Sequence, residues 1–175
     1  MSNQDAVRRG DRLGAVAELF VVHHRRLVGL AAVLVDDRGG AEEVVQEAFL
    51  NLYRQWRLLR DPAAAAAYLN RCVVNGSRKR LRQRRRRAVL LPRMAVTPEA
   101  LASAEQQVVD REELSRVRCE VSELPRRQRE VLVLRFYLDQ SEAEIAETLG
   151  ISRGSVKSHA SRGLATLARR LKVER

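Results

Sequence analysis

Aromatic side chains, cysteine, glycine and proline are all scarce in this chain, and each shortage excludes something. Aromatics make up 4% of its 175 residues, so any core must be built mainly from Leu, Val and Ala. Cys72 and Cys119 stand far apart, with no Cys-x-x-Cys pair and no Cys/His cluster. A structural zinc site needs about four closely spaced ligands, so both cysteines are read as plain small side chains in helices. His23 and His24 have no ligand partners in the sequence and are read as structural. No apolar run approaches the ~18 residues of a membrane-spanning helix. The amino terminus lacks the basic-then-apolar pattern of a secretion signal. A soluble, cytoplasmic protein without membrane insertion is the expectation. There is no P-loop, no Gly-x-Ser-x-Gly and no metal-spaced histidine pair, so neither catalysis nor a cofactor is expected.

Positive charge is abundant, and it is concentrated. The net charge is +11, yet residues 1–61 carry nine acidic and nine basic side chains and are neutral. Residues 101–175 carry twelve acidic and fourteen basic. The middle, 62–100, carries one acidic and ten basic, and holds nearly all the excess. Such a patch suits nucleic acid, because Arg and Lys displace the counterions condensed on phosphate.

Apolar spacing is helical throughout, with no sustained alternation of period two. Val16, Leu19, Phe20, Leu27, Leu30, Ala31 and Leu34 predict an amphipathic helix from Leu13 to about Val35. Asp36-Asp37-Arg38-Gly39-Gly40 should then break it, the glycines serving a helix C-terminus and turn. A second helix is expected from about Ala41 to Leu59, with Val44, Val45, Ala48, Phe49, Leu52 and Trp56 buried. Its opposite face carries Glu42, Glu43, Gln46, Glu47 and Asn51, and acidic residues in a first turn also favour the helix dipole. Asp61-Pro62 reads as N-cap and first helical position of a third helix. Asn75-Gly76-Ser77 should interrupt it, before Arg78 to Arg87 resumes as a basic helix. Ala88 to about Ser103, with Pro92 and Pro98, is the expected linker. Beyond it come a helix to about Ser122 and another from Leu124-Pro125 to about Leu138.

The sharpest motif closes the chain. Ser141-Glu142-Ala143-Glu144 has the form of a capping box. The helix Glu142–Leu149 should bury Ile145 and Leu149, and Gly150 suits the left-handed residue that ends it. Ile151 is placed to plug the space before Ser152 caps the next helix. Val156, Ala160, Leu164, Leu167 and Leu171 should face inward there. Ser155, Lys157, Ser158, His159, Ser161 and Arg162 occupy the other face, as a helix that reads the major groove would have them. This is a helix-turn-helix pattern.

Two blocks in order resemble one family. Asp-Arg-Gly-Gly-Ala-Glu-Glu-Val-Val-Gln-Glu-Ala-Phe-Leu (37–50), then Tyr-Leu-Asn-Arg-Cys-Val-Val-Asn (68–75) and a basic run, resembles region 2 of extracytoplasmic-function sigma factors. Leu-Pro-Arg-Arg-Gln-Arg-Glu-Val-Leu (124–132), with Ser-Glu-Ala-Glu-Ile-Ala-Glu-Thr-Leu-Gly-Ile-Ser-Arg-Gly-Ser-Val-Lys-Ser (141–158), resembles their region 4. The resemblance spans about residues 14–172. It implies an all-α chain of two small helical domains, 14–87 and 104–172, with a flexible linker at 88–103. It implies core RNA polymerase (its largest and second-largest subunits) and promoter DNA as partners, and leaves room for an anti-sigma factor. Glu42, Glu43, Gln46, Glu47 and Phe49 match the polymerase-facing helix. Asn75, Gly76 and Ser77 match the segment that accepts a flipped base of the melted −10 strand. Arg71, Arg78, Lys79 and Arg82 would line that strand's backbone path. Lys157, Ser158, His159, Ser161 and Arg162, flanked by Ser155, match the −35 readers.

Two other readings compete. A helix-turn-helix regulator would bind duplex DNA without polymerase, but the acidic helix at 41–50 and the basic 75–87 segment speak against it. A basic structural RNA-binding protein would explain the arginines and leave the helix-turn-helix unexplained.

Overall fold

The structure is a computed structural model that describes residues 3–35, 37–56, 61–90 and 116–173, and regular structure among them is helical only. The chain divides into two compact units, Met1–Arg85 and Arg86–Arg175. Of the expected linker, residues 88–90 are the end of a helix; 91–103 lie outside the described residues, as does the first part of the expected second domain, 104–115.

Unit 1 is built from α1 (Asn3–Val35), α2 (Arg38–Gln55) and α3 (Pro62–Leu90) as far as Arg85. α1 begins ten residues ahead of the expected Leu13. Its stripe of Val16, Leu19, Leu27, Leu30, Ala31 and Leu34 is buried, whereas Phe20 stays 41% exposed. The stripe packs against Val44, Val45, Ala48 and Leu52 of α2, and α3 contributes Ala65, Leu69, Val73 and Val74 to the buried set. Each large aliphatic side chain so buried contributes about 1.5–3 kcal/mol, which is how a core with few aromatics holds.

Two expectations about breaks need correcting. Gly39 and Gly40 do not end α1; they lie in the first turn of α2. Asp37 is its N-cap, in extended backbone, and its carboxylate accepts the Gly40 N–H at 3.2 Å. A side chain that satisfies an orphan amide sets a helix start more firmly than neighbouring glycines oppose it. The second break is absent: α3 runs unbroken through Asn75-Gly76-Ser77 to Leu90. The propensity cost of Asn, Gly and Ser is about 1 kcal/mol or less each, and the burial of Val73 and Val74 outweighs it. Gly76 also serves a purpose there, since a Cβ on it would come within 2.9 Å of Val44 Cγ1. It lets α2 and α3 approach closely.

Unit 2 contains α4 (residues 116–122), α5 (Arg126–Phe136), α6 (Glu142–Leu149) and α7 (Arg153–Val173). Leu124, Val131, Leu132, Leu134, Ile145, Leu149, Val156 and Ala160 form its buried core. Gly163 brings α7 against α5, where a Cβ would meet Leu132 Cδ1 at 2.8 Å. Glu130 is buried at 2% exposure and is held by Arg127 at 3.1 Å and Arg126 at 3.6 Å. A carboxylate taken from water needs such partners to offset its lost hydration. Arg127 also donates to the Leu149 carbonyl at 3.5 Å, linking α5 to the end of α6.

The turn between α6 and α7 forms as its residues require. The Ser141 hydroxyl accepts the Glu144 N–H at 3.3 Å, and the Glu144 carboxylate accepts the Ser141 N–H at 2.7 Å. Gly150 is left-handed, with φ 65 and ψ 44, and its N–H reaches back to Ala146 and Glu147. Ser152 accepts the Ser155 N–H at 3.1 Å and so starts α7. One expectation fails here: Leu164 is 45% exposed, because Gly163 takes the position facing α5.

Gly76→Ala should destabilise the protein by about 1–3 kcal/mol, the usual cost of overpacking. Gly14→Ala, a mid-helix site with nothing within 4 Å of the added methyl, should stabilise it by about 0.5–1 kcal/mol. Urea denaturation of both variants tests this opposition of sign. A second expectation concerns acid. Hydrogen bonds from Ser141 hold the Glu144 carboxyl below its ordinary 4.5. A depressed folded pKa gives stability that is present above about 4.5 and is lost as pH falls through the folded value. Ser141→Ala should remove about 1 kcal/mol at neutral pH and flatten that acid limb in pH-dependent denaturation.

Candidate nucleic-acid interface

α3 carries the first charged face. About 100° separates successive helical residues, so positions four apart share a side. Arg71, Asn75, Lys79 and Arg82 are exposed, and Arg78 is half-buried beside them. Arg78 donates to the Asn75 side-chain oxygen at 3.2 Å, which orients the amide and leaves its NH2 group as donor. Ser77 points the other way: it is 1% exposed, in the helix interior face. Its hydroxyl has no partner among the described residues. The expected loop Asn75–Ser77 is therefore a helical turn in which Asn75 faces out and Ser77 faces in. As placed, Ser77 offers nothing to a strand, and Gly76 is occupied in spacing α3 from α2.

A cleft of about 340 Å³ opens between α2 and α3 beside Asn75, bordered by Glu47, Asn51, Cys72, Lys79 and Arg82. Burial pushes the Cys72 thiol up, and burial together with the Cys72 contact raises Tyr68 to about 12. Both therefore stay neutral at physiological pH. The charge at the cleft comes from Glu47, Lys79 and Arg82.

α2 presents Glu42, Glu43, Gln46 and Glu47 to solvent, as its spacing predicts. Phe49 does not join them. It is 6% exposed and packs on the Phe20 ring at 5.0 Å between centroids, on the core side. Helical register explains the correction, since Phe49 falls in line with Val45 and Leu52. Phe20 in turn stacks on His24 at 4.3 Å, the packing role expected of that histidine.

The acidic and basic faces are joined, a feature the sequence reading missed. Arg80 reaches back from α3 to Asp37 at 3.3 Å and to Glu43. A Cβ on Gly40 would collide with the Arg80 guanidinium, so the glycine makes room for it. Lys79 pairs with Glu47 at 3.5 Å, with both side chains more than half exposed. Such exposed pairs contribute about 0–1 kcal/mol; the less exposed, doubly bonded Arg80 holds more firmly. The signal was in the spacing, because Arg80 lies three and seven residues beyond Ser77 and Val73 on the inward side.

α7 carries the second face. Lys157, Ser158, Ser161 and Arg162 are exposed, while Ser155 and His159 sit half-buried at its margins. Ser155 shares a hydrogen bond with the capping Ser152 at 2.9 Å, so it supports the turn as well. Glu142, at the start of α6, lies 3.8 Å from Lys157 and 3.6 Å from Arg135. It steadies the lysine without burying it. Short polar groups around one long arginine, at the start of a helix behind a tight turn, are what a major groove admits.

Among the described residues no group of three His, Cys, Asp or Glu side chains could hold a metal, and no helix is long and apolar enough to cross a membrane. Cys72 and Cys119 are both free thiols.

Comparison with known proteins agrees with this layout. Residues 19–87 match the family model for sigma-70 region 2, and residues 114–167 match that for sigma-70 region 4. The RNA polymerase sigma-E factor of Streptomyces coelicolor is 34% identical over 145 residues, 83% of this chain and 79% of that protein. The ECF RNA polymerase sigma factor SigM of Mycobacterium tuberculosis is 33% identical over 162 residues, 93% of this chain and 79% of that protein. Among solved structures, the sigma factor RpoE in complex with the anti-sigma factor NepR, from Bartonella quintana, superposes with TM-score 0.77 at 22% identity. That match covers 91% of this chain and 98% of the other. CnrH, solved with the cytosolic domain of CnrY, gives TM-score 0.69 at 24% identity, covering 97% and 96%. With two region models matched in order and relatives at this identity over most of its length, the chain belongs to the extracytoplasmic-function sigma factors of the sigma-70 family.

Proposed function

We propose that this sigma factor divides promoter recognition between its two units while both ride on core RNA polymerase. In unit 1, the exposed row Glu42, Glu43, Gln46 and Glu47 of α2, acidic but for the glutamine, docks on a basic surface of the polymerase largest subunit. On α3, Asn75 receives an extruded base of the −10 element, and Arg71, Arg78, Lys79 and Arg82 follow the phosphates of the melted strand. In unit 2, α7 enters the major groove at the −35 element, with Arg162 aimed at a guanine edge and Lys157, Ser158, His159 and Ser161 around it. Unit 2 also meets the second-largest polymerase subunit. The observation that carries this reading is the exposed Asn75 amid cations, beside an open cleft.

Energetics favour such a division. Unstacking a base costs a few kcal/mol per step. Capture of the extruded base and neutralisation of the strand's phosphates offset that cost. The role is one of binding, with the polymerase supplying the chemistry and no cofactor required of this chain. The cytoplasm, where polymerase works, is its place of action. An anti-sigma factor is a further partner, supported by the two solved relatives whose structures contain one bound partner each.

Asn75→Ala should leave core binding intact and reduce opening of a cognate promoter, read by permanganate reactivity of −10 thymines; normal opening removes Asn75 from the base site. Arg162→Ala should lower initiation from a −35-dependent promoter by roughly tenfold, since a bidentate guanine contact is worth about 1–3 kcal/mol. Unchanged transcript yield in a multi-round assay would refute that role.

A further inference from the structure

Glu142 opens α6 but takes no part in its cap. That task falls to the side chains of Ser141 and Glu144, each accepting the other's backbone N–H. Glu142 turns instead toward two other helices. One of its carboxylate oxygens lies 3.6 Å from Arg135 Nη1, in the last turn of α5. The other lies 3.8 Å from Lys157 Nζ, in the second turn of α7. The Lys157 side chain is 70% exposed, against 32% for Glu142. The carboxylate is therefore the fixed member of this pair, and the ammonium is the mobile one.

The pair lies where DNA is expected to pass. In a helix-turn-helix the second helix enters the major groove and the first crosses the backbone, which brings the start of α6 near a strand's phosphates. A helix start ordinarily draws phosphate through its free amides and its dipole. Here Glu142 and Glu144 place two carboxylates at that point, and the cap already engages the amides of Ser141 and Glu144. A lysine released at this spot would swing to the nearest phosphate, which every sequence offers alike. To do so beside Glu142, it must leave the carboxylate facing a phosphate. Donating to a base edge carries no such cost. An ammonium has three N–H donors, so one stays on Glu142 while another reaches an acceptor such as guanine O6 or N7.

We propose that Glu142 is a specificity-determining residue of the −35 site: it restrains Lys157 from phosphate and reserves it for an acceptor on a base edge. The inference rests on the reading of α7 as the −35 helix and goes beyond it. It settles which of two targets the lysine takes, and it gives the deciding role to a residue that itself touches no base. Glu142 works by exclusion. Affinity for DNA at large falls, affinity for the correct element falls less, and the difference is discrimination. Arg135 has the supporting part, since it holds the second carboxylate oxygen while the first faces Lys157.

The test uses the full chain bound to core polymerase and two duplexes that differ only in the −35 element, cognate or scrambled. Affinity for each is measured against salt for the wild type, Glu142→Gln, Lys157→Met and the double variant. Glu142→Gln should steepen the slope of log K on log salt for the scrambled duplex by about 0.9, the share of one phosphate contact. Discrimination between the duplexes should fall by about two- to fivefold, the range of an exposed ion pair. Lys157→Met should leave the scrambled slope unchanged and weaken binding to the cognate duplex alone. In the double variant the steepening should vanish. Lys157→Met changes a side chain that is 70% exposed, so it gives an answer even if Glu142→Gln melts early. A scrambled slope shallower by about 0.9 in Lys157→Met places the lysine on a phosphate and overturns the proposal. Equal steepening by Glu142→Gln with and without Lys157 overturns it too, because Glu142 then acts as a diffuse charge only. Both results leave α7 as the −35 helix. Wild-type binding that is the same for both duplexes removes that reading, and this inference with it.

Discussion

The close crossing of α2 and α3 governs the rest of the first unit. Gly76 removes the side chain that would strike Val44, Gly40 removes the one that would strike Arg80, and the guanidinium then spans to Asp37 and Glu43. Asp37 has two duties, since the same carboxylate caps α2 through the Gly40 amide. The start of one helix and the late turns of another are thereby held at one point. Whatever grips α2 and whatever grips α3 therefore act on two helices linked through Arg80. For a subunit that must convert attachment to a large enzyme into a grip on DNA, that link is the useful property.

The second unit solves a smaller problem with tighter local chemistry. A reciprocal cap starts α6, a left-handed glycine ends it, and a serine cap starts α7 three residues later. Each of these satisfies backbone groups that would otherwise be orphaned at helix ends. The angle between the two helices therefore follows from the turn, and Gly163 against Leu132 sets how near α7 lies to α5. The buried Glu130 and its two arginines tie that core to the end of α6. Only then does the outward face, from Lys157 to Arg162, have a defined direction.

What could be read from the residues divides along the same line. Helix-turn-helix positions were legible because caps and a C-terminal glycine are local signals, and Ser141, Gly150 and Ser152 behave as their chemistry demands. The all-helical class and the exposed rows of α2 and α7 followed from period 3.6. Reading failed where tertiary packing overrode local propensity. Asn75-Gly76-Ser77 looks like a turn in isolation, but Gly76 exists for a contact with α2 thirty-two residues earlier. Gly39-Gly40 likewise looks like a terminator, and it makes room for Arg80, forty residues later. Phe49 carried two incompatible assignments, and burial against Phe20 decides for the core. Arg80 looked like one cation among many, and only its register with Ser77 and Val73 on the inward side of α3 marks it.

One measurement bears on the whole account most directly: run-off transcription with purified core polymerase, this protein and a library of genomic promoter fragments. The account predicts discrete start sites that require both proteins and share two short motifs at a fixed separation, one for each unit. Start sites no different from those of core polymerase alone, or selection of the same fragments by this protein without polymerase, would contradict it.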